Sequence, residues 1–309
     1  MKRILITGGA GFIGSHTCCA LLENGFELYI LDSLVNSSKK SLEKLKEIFK
    51  IRNIDVSEII HFFEGDLRNK DIIDDIFKFA KENNKPIDGV IHFAGLKAVQ
   101  ESVNDPLLYW ENNVIGSYNL IKSMEEHDCL TIVFSSSATV YGLSSKEFLT
   151  ESCSVNPINP YGSTKLTVEN LLNDITNKKN KKWRIAILRY FNPIGSHPSG
   201  LIGENPLQKP NNIFPIIINS AFENKKLRVF GNDWETPDGT CIRDYIHVMD
   251  LAESHLRALN YLFQKDNEFI TLNIGTGRGI SVLQLIETFE QTNNIKVPFS
   301  YDKRREGDV

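Results

Sequence analysis

The stretch that most constrains this chain comes at its very start. Arg3 to Thr7 is an apolar run of strand length, and Gly9, Gly11 and Gly14 follow it in the spacing G-x-G-x-x-G. Such a turn joins a first strand to a first helix. Glycine is required there because a side chain would collide with a pyrophosphate or hold the helix off the strand. The phosphates would sit on the free N–H groups that open the helix, where the dipole favours negative charge. A lone glycine turn is a weak signal, so its surroundings decide. Here a strand precedes it, an apolar helix pattern follows (Ile13, Cys18, Ala20, Leu21, Leu22), and Gly25 ends that helix. A second apolar run, Leu28 to Leu31, closes on Asp32, near the offset of the acid that binds a dinucleotide's adenosine ribose. The bland alternative, a glycine-rich turn with a chance acid downstream, explains none of that context.

From here to about Tyr190, apolar runs alternate with amphipathic ones. This is the pattern of an α/β doubly wound parallel sheet, Rossmann-type. A polar turn, Ser33 to Ser38, leads to a helix with Leu42, Leu45, Ile48 and Phe49 on one face. Ile59 to Glu64 reads as the third strand, running into Gly65-Asp66-Leu67, and Lys70 to Asn83 as a helix burying Ile72, Ile73, Ile76, Phe77 and Ala80. Gly89 to Phe93 is the fourth strand, Pro106 opens a long helix to about His127, and Thr131 to Ser135 is the fifth strand. A helix at about 160–177 and a sixth strand, Arg184 to Tyr190, complete the run.

Beyond Asn192, proline and asparagine crowd the chain and the rhythm breaks. We expect residues 1–190 to form the cofactor domain and 191–309 to be mainly a smaller C-terminal substrate-binding lobe, with a strand at about 270–274 returning to the sheet. In an open α/β sheet, ligands lie at the carboxyl ends of the strands. The loops after residues 6, 31, 64, 93, 135 and 190 should therefore converge on one cleft.

A net charge of −4 argues against a nucleic-acid partner held on a broad basic surface. No apolar run reaches membrane-spanning length and the chain starts on its first strand, so the expectation is a cytoplasmic protein with no membrane contact. Cys18, Cys19, Cys129, Cys153 and Cys241 form no C-x-x-C pair, which suits reduced thiols rather than a disulfide frame or a metal site.

Tyr161 and Lys165 stand four apart on a predicted helix and share a face. Alone, the pair reads as a solvated surface. Ser135, Ser136 and Ser137 sharpen it, because they stand at the carboxyl end of the fifth strand, beside the expected cofactor. A phenol titrates near pH ~10 and is a poor base at neutrality. A cation about 4 Å away contributes roughly 4 kcal/mol at an effective dielectric of about 20 before desolvation opposes it, so a lysine ammonium and an oxidised nicotinamide ring together would bring a phenolate within reach of neutral pH. His92 and His247 lie in apolar runs and read as satisfied core histidines, while Tyr109, Trp110 and Tyr118 read as packing or subunit contacts.

The chain resembles the extended short-chain dehydrogenases/reductases, and within them the nucleotide-sugar 4-epimerases. The resemblance is carried by Ile6 to Thr17, Val90 to Val99, Phe134 to Gly142, Pro160-Tyr161-Gly162, Leu188 to Pro193, Asp238-Gly239-Thr240, Arg243 to Val248 and Arg304 to Asp308, in order along the whole chain. It implies an isomerase of galactose metabolism that interconverts UDP-glucose and UDP-galactose. NAD would oxidise C4 transiently to a 4-keto sugar and return hydride to its opposite face.

It further implies that Gly8, Gly11, Phe12, Ile13 and Gly14 lie at the NAD pyrophosphate, and that Asp32 with Ser33, Leu34, Val35, Asn36 and Ser37 holds the adenosine ribose. Asp66 and Leu67 would flank the adenine, and Phe93, Ala94, Gly95, Leu96, Lys97, Asn112 and Phe191 would line the rest of the cofactor. By the same resemblance Tyr161 is the acid/base, Lys165 its partner on the nicotinamide ribose, and Ser137 the hydroxyl sharing the O4 proton. Asn192, Asn212, Arg228, Val229, Phe230, Arg243, Arg305, Glu306, Gly307 and Asp308 would hold UDP, and two arginines suit a diphosphate.

Two alternatives share parts of this pattern. A nucleotide-sugar 4,6-dehydratase, a lyase, would need an Asp-Glu pair where Ala138 and Thr139 stand, and neither can do that acid/base work. A non-catalytic dinucleotide sensor would have no use for Ser137, Tyr161 and Lys165 together. The resemblance also implies a homodimer through the helices at about 106–127 and 160–177, and relatives with further sequence past Val309 that gates N-acetylated sugars.

Overall fold

The computed structural model describes residues 1–144, 148–178, 181–207, 210–223 and 225–304. Seven strands form one sheet, every pairing parallel. The first six are β1 (Arg3–Thr7), β2 (Glu27–Asp32), β3 (Ile60–Glu64), β4 (Gly89–His92), β5 (Thr131–Ser137) and β6 (Arg184–Tyr190). The seventh, Glu268–Ile274, pairs residue for residue with β6, so the chain does return to the sheet after its irregular stretch. The order runs from the seventh strand through β6, β5, β4, β1 and β2 to β3, and the direction of winding reverses between β1 and β4.

The central strands are apolar runs because both faces are covered. Ile4, Leu5, Ile6, Leu28, Ile30, Val90, Ile91, Ile132 and Val133 have no exposed surface. Helix α1 (Phe12–Glu23) packs on one face with the helix Val248–Leu262. Helix α2 (Lys39–Ile51) joins that face through Leu42, Leu45, Ile48 and Phe49, and α3 (Lys70–Glu82) covers the other through Ile73, Ile76, Phe77 and Ala80. Val99–Asn104 forms α4, Pro106–Tyr109 α5 and Gly116–Glu126 α6. The expected long helix at 106–127 is continuous but carries a π-helical segment, Trp110–Ile115, between α5 and α6. Helix α7 (Pro160–Thr176) starts sharply, with Pro160 in its first turn and the Asn159 side chain accepting the Gly162 N–H at 2.8 Å.

The lobe is built from small pieces. Asn192–Ile194, Ile242–His247 and Gly279–Ser281 form a three-stranded sheet, and Leu227–Phe230 pairs in parallel with Phe299–Asp302. Its own core gathers Ile217, Leu227, Val229, Tyr245, Leu285, Ile286 and Val297. Asp244 ties the lobe to the end of the seventh strand. Its carboxylate accepts the N–H groups of Thr276 (2.9 Å) and Gly277 (2.8 Å) and the Thr276 hydroxyl (2.7 Å).

Candidate active site

Most of the strand ends converge, but no residue of the stretch directly after 135, Ser137 included, is among the cavity's lining residues. A cavity of about 570 Å³ runs along the carboxyl edge of the sheet and is lined by the loops after β1, β2, β3 and β4, by Tyr190 at the end of β6, and by residues 201–207 of the lobe. Its floor is the glycine turn. A methyl group on Gly14 would stand 2.2 Å from the Gly8 carbonyl oxygen, and one on Gly8, whose φ is +73°, 2.8 Å from the Ala94 nitrogen. No larger residue fits either position, and that close approach is what a pyrophosphate cradle at a helix N-terminus requires. Asp32 is buried at the rim. Its carboxylate accepts from the Ala10 N–H (2.9 Å), the Leu34 N–H (2.9 Å) and the Ser37 hydroxyl (2.8 Å).

Of the residues expected at the cofactor, Gly8, Gly11, Phe12, Ile13, Gly14, Asp32, Ser33, Val35, Asn36, Ser37, Asp66, Leu67, Phe93, Ala94, Gly95, Leu96, Lys97, Asn112, Tyr161 and Lys165 line this cavity. Leu34 and Phe191 are not among its lining residues. Leu34 adopts φ +58° so that its N–H reaches Asp32, and its side chain packs against the sheet core. Phe191 lies against Gly275, at the junction with the lobe.

The serines belong to β5 itself rather than to the loop after it, and all three are buried. Ser137 accepts from the Thr139 N–H (3.2 Å) and hydroxyl (3.0 Å), which leaves its own proton to donate. That proton is available to the Tyr161 hydroxyl, whose ionised form Ser137 favours. Tyr161 is 7% exposed and Lys165 5% exposed, so the pair is not a solvated helix face. The Lys165 Nζ donates to the Ser135 carbonyl at 2.9 Å. Burial pushes the Tyr161 phenol up to about 12, and the Ser137 bond opposes it. Burial also pushes Lys165 down to about 8, against the pull of Glu169. The opposition that desolvation was expected to offer is large here. In the protein alone, desolvation outweighs any help the lysine gives the phenol.

His92 is a satisfied core residue, its pKa pushed down to about 3 by burial. Ser117 donates to the Asn113 carbonyl, so it accepts from His92 Nε2 (2.7 Å), and Thr7 then donates to Nδ1 (2.7 Å). His247 departs from the expectation. It is exposed and caps the helix Val248–Leu262, accepting the Met249 N–H at 3.2 Å. Tyr109 is fully buried, whereas Trp110 and Tyr118 are exposed.

On the lobe side the expected groups scatter more. Asn192 donates to the Asp244 carbonyl (3.2 Å), and Arg228 pairs with Asp302 (3.3 Å) with its guanidinium over the Phe230 ring. Strand alternation turns the Val229 side chain into the lobe core, so only its backbone is left to face a ligand. Arg243 has no carboxylate partner among the described residues; its guanidinium donates to the Ile242 carbonyl. Asn212 donates to Glu204, which Lys97 also meets at 3.2 Å. Arg305, Glu306, Gly307 and Asp308 lie outside the described residues.

Sequence reasoning missed several contributors, four of them polar groups of note. Tyr190 and Glu204 line the cavity, as do Lys40 and Lys44 at the start of α2. Tyr190 lies within the stretch Leu188 to Pro193 that carries the resemblance, directly before Phe191, so a signal for it was present. Asn113, one position beyond the expected Asn112, clamps the β4 loop by accepting the Leu96 N–H (2.8 Å) and donating to the Leu96 carbonyl (3.0 Å).

A parallel sheet wound both ways, a glycine cradle facing a ribose-binding acid, and a buried Ser–Tyr–Lys set define a dinucleotide-dependent enzyme of the doubly wound class. The comparisons make this particular. The chain belongs to the NAD dependent epimerase/dehydratase family, whose model matches residues 4–275. It is 47% identical over 307 residues to the UDP-glucose 4-epimerase of Bacillus subtilis (strain 168), covering 99% of this chain and 86% of that one. It is 48% identical to the bifunctional protein GAL10 of Pachysolen tannophilus, of whose length it spans 44%. Among solved structures, the UDP-glucose 4-epimerase from Stenotrophomonas maltophila with bound NAD and formylated UDP-arabinopyranose superposes with a TM-score of 0.91. It is 42% identical, over 100% of this chain and 88% of that one.

Proposed function

We propose that this chain interconverts UDP-glucose and UDP-galactose as an NAD-dependent isomerase. The observation that carries the reading is the buried Tyr161–Lys165 pair lining the glycine-floored cavity, with Ser137 buried beside the phenol, in a chain of this family. The Gly8 and Gly14 cradle fits a pyrophosphate, and the Asp32 carboxylate fits a ribose while its charge disfavours the 2′-phosphate of NADP. When bound, NAD accepts the C4 hydride and returns it, and its oxidised ring adds a positive charge near the phenol.

The chain's own residues do the rest. Tyr161 takes the O4 proton and later gives it back, and Ser137 stabilises the phenolate through its donated hydrogen. Lys165 supplies a cation beside them and orients the nicotinamide ribose. Residues 1–190 serve the cofactor, and 191–309 mainly hold UDP through Asn192, Asn212, Arg228 and Arg243. Ala138 and Thr139 bring no acid to the C5–C6 side of the sugar, which disfavours the 4,6-dehydratase reading.

We further propose a homodimer through α5–α6 and α7. Leu107 (74% exposed), Ile115 (52%) and Tyr118 (49%) form an apolar face that a second copy would cover. A sedimentation run showing only monomer at micromolar concentration would remove that part. A cytosolic location belongs to the same reading, supported by cysteines that form no disulfide among the described residues.

The deciding experiment mixes the purified protein with UDP-galactose and identifies the sugar formed. UDP-glucose is expected. A 4-keto-6-deoxy product would make the chain a dehydratase, and NAD binding without turnover would make it a sensor.

A further inference from the structure

Behind the Tyr–Lys pair lies a buried ionic network that the proton and hydride transfers do not themselves use. Tyr161, Lys165 and Glu169 are successive four-residue steps on one face of α7, and all three are buried. Arg189 on β6 meets Glu169 in a forked contact, with Nε 3.0 Å from Oε1 and Nη2 2.6 Å from Oε2. The Ser136 hydroxyl donates to the same Oε1 from β5, one residue before Ser137. On its other side, the Arg189 Nη1 donates to the Tyr141 hydroxyl (3.1 Å), which donates to Asn273 Oδ1 on the seventh strand (2.7 Å). Asn273 in turn donates to the Leu149 carbonyl at 3.0 Å. Tyr141 ends the short turn Ala138–Tyr141 that leaves Ser137. The network therefore grips the chain on both sides of the serine.

A buried ion pair is seldom the most stabilising way to fill such a space, since well-packed apolar residues often do as well. What an apolar plug cannot supply is a fixed orientation of three elements together with a signed charge. We propose that the Glu169–Arg189 pair is the positioning element of this active site, registering α7 against the Ser137 end of β5 and holding Lys165 in its charged form. The proposal rests on the reading of Tyr161 and Lys165 as the proton-transfer pair.

The surroundings of Lys165 leave that task to Glu169. From β5 it meets the Ser135 carbonyl and, 5.0 Å away, the Phe134 ring. From β4 comes His92 and from the helix Val248–Leu262 comes His255, both buried and held neutral by that burial. From β6 come Tyr190, whose phenol burial pushes up, and Arg189, whose charge Glu169 already balances. On α7 itself stand Tyr161 and Glu169. Among the described residues, Glu169 is the one charge that favours the ammonium form of Lys165 against desolvation.

The test is Glu169→Gln, which keeps the shape and removes the charge. It leaves Arg189 unbalanced, so the potential around Tyr161 and Lys165 becomes more positive and both groups lose their protons more readily. Both limbs of the pH–rate profile should move to lower pH, by about one unit, and turnover at neutral pH should fall. A tyrosinate difference titration without substrate, read against Tyr161→Phe, should show the same downward move for Tyr161. A merely structural pair would lower turnover and leave both limbs in place.

Ser136→Ala supplies an arm that keeps both charges. It should lower turnover about tenfold with the limbs unmoved, and it decides alone if Glu169→Gln does not fold. Parent limbs in folded Glu169→Gln, or parent turnover in Ser136→Ala, would overturn the proposal. Parent turnover in Tyr161→Phe would instead overturn the reading on which it rests.

Discussion

Along the seven-stranded sheet, most candidate groups stand at or just past strand ends, and several are held by backbone. In the lobe they stand on strands of three to six residues or on loops, and their side chains mostly engage the chain itself. Asp32 shows the first mode, with two backbone N–H groups and a hydroxyl fixing its carboxylate. Arg228 shows the second, exposed and spending its charge on Asp302. On the proposed reading the difference follows from what each half would have to do. The cofactor half would keep one ligand in one pose through both half-reactions, with its geometry built before binding. The lobe would hold UDP firmly yet let the 4-keto sugar turn over between hydride transfers, which a rigid sugar pocket would prevent.

If that contrast is right, the sheet half should fail sharply and the lobe by degrees. The largest effect is expected for Tyr161→Phe. Positioned acid/base groups contribute about 10²–10⁴-fold, so turnover of UDP-galactose should drop by at least about two orders of magnitude. Cofactor and UDP binding should persist, because the ring still fills its buried site. Stopped-flow epimerisation beside a binding titration separates the two. Near-parent turnover would mean that Tyr161 is not the base.

Much of the sheet half was legible because parallel strands leave an unmistakable record. Ile4 to Ile6, Leu28 to Leu31 and Val90 to Ile91 are buried on both faces, and Gly8 and Asp32 close the first two where the cleft begins. The lobe left no such record. Its strand Leu227–Phe230 alternates buried and exposed residues, and only that alternation could have said that Val229 points inward while Arg228 points out. Glu204 carried no signal at all, since a lone acid between a glycine and an asparagine is ordinary loop sequence. His247 was misread for a related reason. Its apolar neighbours suggested core, but it closes a strand and caps the helix that follows, and a cap stands at the surface.

Arg243 tests the middle of the range. It lies on the strand Ile242–His247, next to the Asp244 clamp, and among the described residues it has no carboxylate partner that a phosphate would have to displace. A charge-assisted hydrogen bond is worth about 1.5–3 kcal/mol. Arg243→Ala should therefore raise KM for UDP-galactose by roughly ten- to a hundredfold, with kcat and bound NAD little changed. A fall in kcat at constant KM would place Arg243 at the reacting sugar and blur the division between the halves.

The smallest effect is expected at Arg228, and it is the sharper test of how the lobe works. Its guanidinium already has an acidic partner, Asp302, at 3.3 Å and lies over the Phe230 ring. A diphosphate must draw it away from that carboxylate, so the new contact is gained only as the old one is given up. Exposed pairs of this kind are worth about 0–1 kcal/mol, and the net gain from exchanging one for another is of the same order. Arg228→Ala should raise KM for UDP-galactose by less than about fivefold. Asp302→Asn should do the reverse, freeing the guanidinium and lowering KM slightly. Initial rates over a range of UDP-galactose, with both variants beside the parent, measure the two shifts. If Arg228→Ala instead cost as much as Arg243→Ala, the Asp302 pair would be no competitor, and the lobe would grip UDP with groups fixed as firmly as those of the sheet.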